Sequence, residues 1–262
     1  MMKLVFTGVL AIILLGLGGC ASTSTSSSQT QASSASVDGA RAARINVQLG
    51  VEYFKQGELE QALKKLERAI GQDPNLPSAH NALALLKQRL GQVEEAEKHF
   101  QRAIKLDSSY SEAQNNYGVF LYSQGRYREA ETHFLEAVKN PLYGTPELAY
   151  ENAAMAAQKQ SELDKAEDYY LKALQIEPRL PKSLYRMAEI NFNQGHYQQA
   201  HEYLQRYRAV ARHTSQSLWL GIKIERELGN EDAVSSYALL LRQNFPDSQE
   251  AQLLRESMER QR

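Results

Sequence analysis

The stretch that decides the fold runs from Leu49 to Pro74 and reads LGVEYFKQGELEQALKKLERAIGQDP. It recurs along the chain. Residues 83–107 read LALLKQRLGQVEEAEKHFQRAIKLD, and residues 117–141 read YGVFLYSQGRYREAETHFLEAVKNP. Central alanines fall at Ala62, Ala96, Ala130, Ala166 and Ala200, with Ala233 as a sixth. Gly57, Gly91, Gly125 and Gly195 each stand five residues earlier, where the chain has to turn between two helices. A second alanine follows seven residues on, at Ala69, Ala103, Ala137 and Ala173, and Pro74 and Pro178 end their helices. A two-helix unit of this size cannot bury its apolar face alone, so its copies stack to share one core. The expected fold is all-α, a solenoid of six helix-turn-helix pairs.

Composition agrees. The chain has 262 residues and a formal net charge of −1, which gives no electrostatic footprint for a nucleic-acid partner. Ala, Glu, Gln, Leu and Lys dominate the body and favour helix, and no alternating strand pattern is sustained.

The first residues read MMKLVFTGVLAIILLGLGGC. Lys3 gives a short positive region, and residues 4–15 form an apolar run too short for an ordinary spanning helix. Leu17-Gly18-Gly19-Cys20 resembles the bacterial lipobox, and Cys20 is the one cysteine of the chain. That resemblance implies that residues 1–19 are a lipoprotein signal peptide. It also implies that Cys20 carries a diacylglycerol thioether and an N-acyl chain. Several acyl chains anchor stably where one does not. Ala21 after the cysteine, by resemblance to the bacterial sorting rule, implies the periplasmic face of the outer membrane. An ordinary signal peptide with a chance cysteine is the alternative. Residues 20–40, rich in Ser, Thr, Ala and Gln, have little to bury and read as a flexible tether spanning about 25 Å for ~20 residues.

The repeat resembles the tetratricopeptide repeat, a helix-turn-helix of about 34 residues whose pattern runs Leu-Gly, Tyr, Ala, Phe, Ala, Pro. Leu49, Gly50, Tyr53, Ala62, Leu66, Ala69 and Pro74 match it, as do Tyr117, Gly118, Ala130, Phe134 and Ala137. The resemblance implies a right-handed α-solenoid. It places the six repeats at residues 43–76, 77–110, 111–144, 147–180, 181–213 and 214–247, within 41–248, with 249–262 as a C-terminal capping tail. The small residues Gly50, Ala84, Gly118, Ala154 and Ala188 are expected to face small residues on the second helix, so that the backbones approach closely, with the large residue between them filling the groove. The sixth repeat reads as one residue short in its turn.

From Ala130 to Ala166 the spacing is two residues longer than a repeat, and the surplus lies in NPLYGTPELAYENAA from Asn140. Thr145 is the expected N-cap of the next helix, with Pro146 at its first position and Glu147 in its first turn. This junction, followed by Asn152-Ala153, resembles the PilF/PilW family of type IV pilus biogenesis lipoproteins, called pilotins. The resemblance implies a protein that binds the secretin subunit and promotes its outer-membrane localisation and multimerisation. The repeats alone also fit an outer-membrane scaffold for another envelope assembly, such as cell-wall enzymes or outer-membrane protein insertion.

No pattern points to catalysis. The six histidines do not form a metal motif, His99 and His133 repeat one slot, and HEYLQ at His201 lacks the second histidine of H-E-x-x-H. No phosphate loop or G-x-S-x-G occurs. Acid pairs such as Glu94-Glu95 and Glu167-Asp168 read as solvated faces. The expectation is a non-enzyme without cofactor, metal or small-molecule substrate. In this fold the first helices line the concave face at spacings of i, i+4 and i+7. That stripe comprises Val47, Val51 and Phe54, then Asn81, Leu85 and Gln88, then Asn115, Val119 and Tyr122. It continues through Glu151, Met155 and Gln158, then Tyr185, Glu189 and Phe192. An apolar groove with polar edges suits an extended or helical segment of a partner.

Overall fold

The computed structural model describes residues 27–259, with side chains from residue 38 onward. Among the described residues the chain forms thirteen α-helices and no strand. They are α1 (Ser27–Gln56), α2 (Leu59–Gln72), α3 (Pro77–Arg89), α4 (Val93–Leu106), α5 (Ser111–Ser123), α6 (Tyr127–Ala137) and α7 (Pro146–Lys159). Then follow α8 (Leu163–Ile176), α9 (Pro181–Asn193), α10 (Tyr197–Val210), α11 (Ser215–Glu227), α12 (Glu231–Asn244) and α13 (Gln249–Glu259). Each odd-numbered helix from α1 to α11 pairs with the even-numbered one after it. Odd helices also touch each other (α1 with α3, α3 with α5, α5 with α7, α9 with α11, α11 with α13), whereas no comparable contact joins successive even helices. The odd helices therefore lie on the tighter, inner side of the stack.

The turns follow from backbone sterics. Gly57, Gly91, Gly125, Gly195 and Gly229 have φ between 72° and 81°. No atom lies within 4 Å of a Cβ placed on any of them, so glycine is needed there for its backbone and not for space. Repeat 4 lacks the glycine, and Ser161 holds the same turn at φ 63°. The bonds match too. Gly57 and Glu58 donate N–H to the Phe54 and Tyr53 carbonyls at 3.1 and 2.9 Å, and Ser161 and Glu162 donate to Gln158 and Ala157, both at 3.0 Å.

Packing gives the close helix crossings their residues and corrects one detail of the sixth repeat. Gly50 and Gly118 each face the large residue expected to fill the groove, and Gly50 also lies against the backbone of the small residue Ala62. A Cβ on Gly50 would stand 2.7 Å from Leu66 Cγ, and one on Gly118 would stand 2.6 Å from the Phe134 ring. Leu66 and Phe134 are each 1% exposed, so the missing Cβ makes room for the largest buried group of the partner helix. The sixth repeat keeps its turn at full length, with Gly229 N–H bonded to Arg226 C=O at 3.1 Å. What slides is the pairing. Gly221 meets Tyr237, and Val234 instead of Ala233 is the fourth residue of its helix, the place Ala62 holds in α2.

Glu97 (α4) accepts from Tyr117 Oη at 2.8 Å and from Arg126, and Glu131 (α6) accepts from Gln160 at 2.7 Å and Tyr169 Oη at 3.0 Å. Glu167 (α8), read from sequence as solvated, accepts from Gln194 at 2.9 Å. At the last boundary the polarity reverses, and His201 (α10) meets the buried Glu225 at 2.6 Å. One slot on α4, α6, α8 and α10 thus clasps the repeat that follows.

At the ends, α13 packs on α11 and α12 and buries Ala251 and Leu254 against Leu218, Ile222, Tyr237 and Leu241. At the other end α1 begins at Ser27, inside the segment expected to be a flexible tether. From Ser27 that segment is helical. It contains no proline, and its Ser, Ala and Gln residues cost little each once the repeat's first helix is nucleated.

The junction at Asn140 is explained by its prolines. α6 stops at Ala137, because Pro141 lacks an N–H, its ring clashes with the carbonyl four residues back, and Asn140 before it is driven out of the helical region. Asn140 Oδ1 accepts from Leu142 N–H at 3.0 Å and closes the turn. Tyr143 is buried between Ala137 and Ala149. Thr145 stands at the N-cap of α7 with Pro146 following, but its side chain makes no capping bond. Instead it interacts with the Tyr143 hydroxyl. Across this boundary α6 and α7 pack along each other more extensively than the helices at any other repeat boundary.

Candidate partner-binding groove

The inner helices set out a groove, and the expected lining residues divide into two sets. Val51 and Phe54 on α1 are half-buried and rest on the first hydrophobic cluster. Leu85 on α3 and Tyr122 on α5 are half-buried against the second. Val119 is 42% exposed. Asn115 is half-buried, and its Oδ1 accepts from Asn152 Nδ2 at 3.2 Å.

Val47, Asn81 and Glu151 are corrections. Val47 is only 8% exposed and belongs to the core with Ala62 and Leu66. Asn81 is 6% exposed, and its Oδ1 accepts from Asn116 Nδ2 at 3.2 Å. Glu151 is 6% exposed and accepts from Ser183 N–H and Oγ at 3.1 and 2.7 Å. All three lie one turn before the open position of their helix, where the next inner helix covers them. The Asn81–Asn116 and Asn115–Asn152 bonds form a polar seam under the groove, tying α3 to α5 and α5 to α7. Amides withdrawn from water, fully or in part, and hydrogen-bonded in this way fix helix register, because unpaired they would cost free energy.

Two clefts open on the inner face beyond Val119. One, of about 230 Å3, is lined by Tyr122, Met155, Gln158, Lys159 and Arg186. The other, of about 540 Å3, is lined by Lys182, Tyr185, Arg186, Glu189, Tyr207 and Gln216, among others. Arg186 belongs to both. Burial opposes its charge, but the Glu189 hydrogen bond and charge prevail and raise its pKa. Burial pushes the Tyr185 phenol up to about 12. Lys223 on α11 stands 4.6 Å from the Phe192 ring, and burial lowers its pKa while Glu189 opposes the fall. Met155, Gln158, Tyr185, Glu189 and Phe192 belong to the stripe expected from sequence. Lys159, Arg186 and Lys223 do not. Lys159 and Arg186 are each one residue beyond a stripe position, where a strict i, i+4, i+7 count omits a long side chain that leans back into the groove.

Among the described residues no three His, Cys, Asp or Glu side chains converge as a metal site, and no helix is long and apolar enough to cross a membrane. Cys20 lies outside the described residues.

Stacked helix pairs with left-handed glycine turns and an inner-helix groove define a tetratricopeptide-repeat protein. Family models described as TPR repeat and tetratricopeptide repeat match residues 50–91, 81–144, 123–183 and 169–202. The type IV pilus assembly protein PilF of Pseudomonas aeruginosa is 31% identical over 237 residues, covering 90% of this chain and 92% of PilF. A solved structure of Pseudomonas aeruginosa PilF superposes with a TM-score of 0.77 at 30% identity, covering 83% of this chain and 98% of that one. The crystal structure of PilW, described as a widely conserved type IV pilus biogenesis factor, gives 0.69 at 31% identity, covering 81% and 97%. The chain belongs to the PilF/PilW family.

Proposed function

We propose that this protein is a non-enzymatic assembly factor of type IV pilus biogenesis, a pilotin that holds the secretin subunit in its inner groove. Acylation of Cys20 attaches it to the periplasmic face of the outer membrane, where it promotes secretin localisation and multimerisation. The observation that carries this reading is the similarity to PilF along nearly the whole chain, with the groove helices inside the matched region.

The physical role of the groove is capture. Val51, Phe54, Leu85 and Val119 offer apolar surface to a partner, and the polar seam beneath keeps that surface in register. Apolar anchors dominate such interfaces, and losing one typically costs over ~1 kcal/mol. A charge placed among them adds a desolvation cost. Val51→Arg is therefore expected to weaken binding to the purified secretin subunit at least about tenfold, the equivalent of ~1.4 kcal/mol. Lys64→Glu, on the exposed face of α2, serves as the control. Equal binding by wild type and Val51→Arg, with unchanged circular dichroism, would remove the site from the first repeat.

A further inference from the structure

The donor and acceptor inventory of the smaller cleft gives the partner a definite chemistry. Its five lining residues include two cations, Lys159 and Arg186, and no carboxylate. Lys159 is exposed, and no carboxylate pairs with it among the described residues. Arg186 Nη1 donates to Glu189 Oε2 of its own helix at 2.7 Å, and the arginine side chain is 40% exposed. A guanidinium has five N–H donors, so most of them remain for another acceptor. Gln158 is the third polar group. Its Oε1 accepts from the buried Tyr170 hydroxyl at 2.9 Å, which leaves its NH2 as the part that faces a ligand. Lysine, arginine and the oriented amide are all donors. Tyr122 and Met155, both half-buried, supply apolar surface beside them.

We propose that this cleft receives a carboxylate, an Asp or Glu side chain of the partner segment, with a neighbouring apolar side chain laid on Tyr122 and Met155. The proposal rests on the reading of the inner face as the partner groove and gives that groove a charged fixed point. The position suits the task. The cleft continues from Val119 and Tyr122 on one side and shares Arg186 with the larger cleft on the other. A segment running along the groove from Val51 towards Tyr185 would pass over it. A surface lysine alone contributes little to binding. A carboxylate taken by arginine, lysine and an amide together makes charge-assisted bonds, roughly twice as strong as neutral ones, and fixes the register of the segment. Glu189 is the internal competitor, since it already occupies part of Arg186.

That competition provides a test with two opposite signs. Two short fluorescent peptides of the same Leu and Phe content are titrated against the full chain, one with a central Asp-Glu and the other with Asn-Gln. The acidic peptide is expected to bind about tenfold tighter, the equivalent of ~1.4 kcal/mol. Lys159→Gln/Arg186→Gln is expected to erase the difference. Glu189→Gln is expected to widen it, because it releases Arg186; a merely structural role for that ion pair would weaken binding instead. Equal binding of the two peptides by wild type, or loss of acidic-peptide binding in Glu189→Gln, would overturn the proposal. The purified secretin subunit, titrated in parallel, separates the two readings. Secretin binding that is lost in Val51→Arg and unchanged in Lys159→Gln/Arg186→Gln would overturn the carboxylate site and keep the groove. An acidic-peptide preference without any secretin binding would support the site and overturn the partner.

Discussion

Ser161→Gly is expected to stabilise the protein, although it removes atoms. Ser161 occupies the left-handed turn between α7 and α8 at φ 63°, in the place that glycine holds in five other repeats. A residue with a Cβ pays about 1–2 kcal/mol in that region. Its side chain is exposed, and no hydrogen bond of its hydroxyl offsets the strain. Glycine brings its own cost, about 0.5–1 kcal/mol of extra freedom lost on folding. The difference is a gain of roughly 0.5–1 kcal/mol. At this chain length ~1 kcal/mol shifts the melting temperature by about 2–4 °C, so a rise of about 1–4 °C is expected. Gly125→Ser is the mirror experiment. Nothing stands within 4 Å of the added Cβ, so a loss of similar size there reports the backbone alone. The assay is thermal and urea unfolding of both variants followed by circular dichroism. A neutral or destabilising Ser161→Gly beside a destabilising Gly125→Ser would refute the reasoning, because it would mean that the serine turn carries no strain.

Other perturbations follow from single contacts. Tyr143→Ala removes a buried ring from between Ala137 and Ala149 and is expected to cost about 3–5 kcal/mol, whereas Leu142→Ala, at a side chain 90% exposed, is expected to stay within about 0.5 kcal/mol; urea unfolding of the pair measures both. His80 and His99 meet through their Nδ1 atoms at 3.0 Å, and His80 Nε2 lies 3.0 Å from the Pro74 carbonyl. Burial, aided by Arg102 at His80 and by Lys87 at His99, holds both rings below their ordinary value of 6.5, against weaker raising contributions from the Pro74 carbonyl and Glu95. The folded state therefore takes up these protons less readily than the unfolded one. Their stabilising contribution is complete above about pH 6.5 and is lost as pH falls through the lower folded values, so unfolding free energies measured from about pH 7 down to pH 5 should decline less steeply in His99→Gln than in wild type.

The repeat was legible because its signals are local. A left-handed turn requires glycine and a close helix crossing requires a small residue, and both recur at fixed spacing. The prolines at 141 and 146 likewise announced the boundary between α6 and α7 without any knowledge of distant contacts. Val47, Asn81 and Glu151 were misplaced for the opposite reason. A helical stripe gives the face of a residue on its own helix, and their burial is decided by the next helix of the stack. The cleft around Lys159 and Arg186 depends on three helices, α5, α7 and α9, which are brought together only by the curvature of the solenoid. The start of α1 at Ser27 was hidden by a composition that suits a tether and a helix alike.

The proposed function requires the inner groove, presented by a chain acylated at Cys20, to hold the secretin subunit. The most direct measurement is affinity capture of the full chain from detergent-solubilised envelopes of the native bacterium, with the co-eluting secretin subunit quantified by mass spectrometry for wild type, Val51→Arg and Cys20→Ala. The expected result is strong enrichment with wild type and loss of that enrichment with Val51→Arg. Cys20→Ala should keep the groove competent in solution but disappear from the outer-membrane fraction. Secretin recovered equally with wild type and Val51→Arg, or with neither, would contradict the proposal.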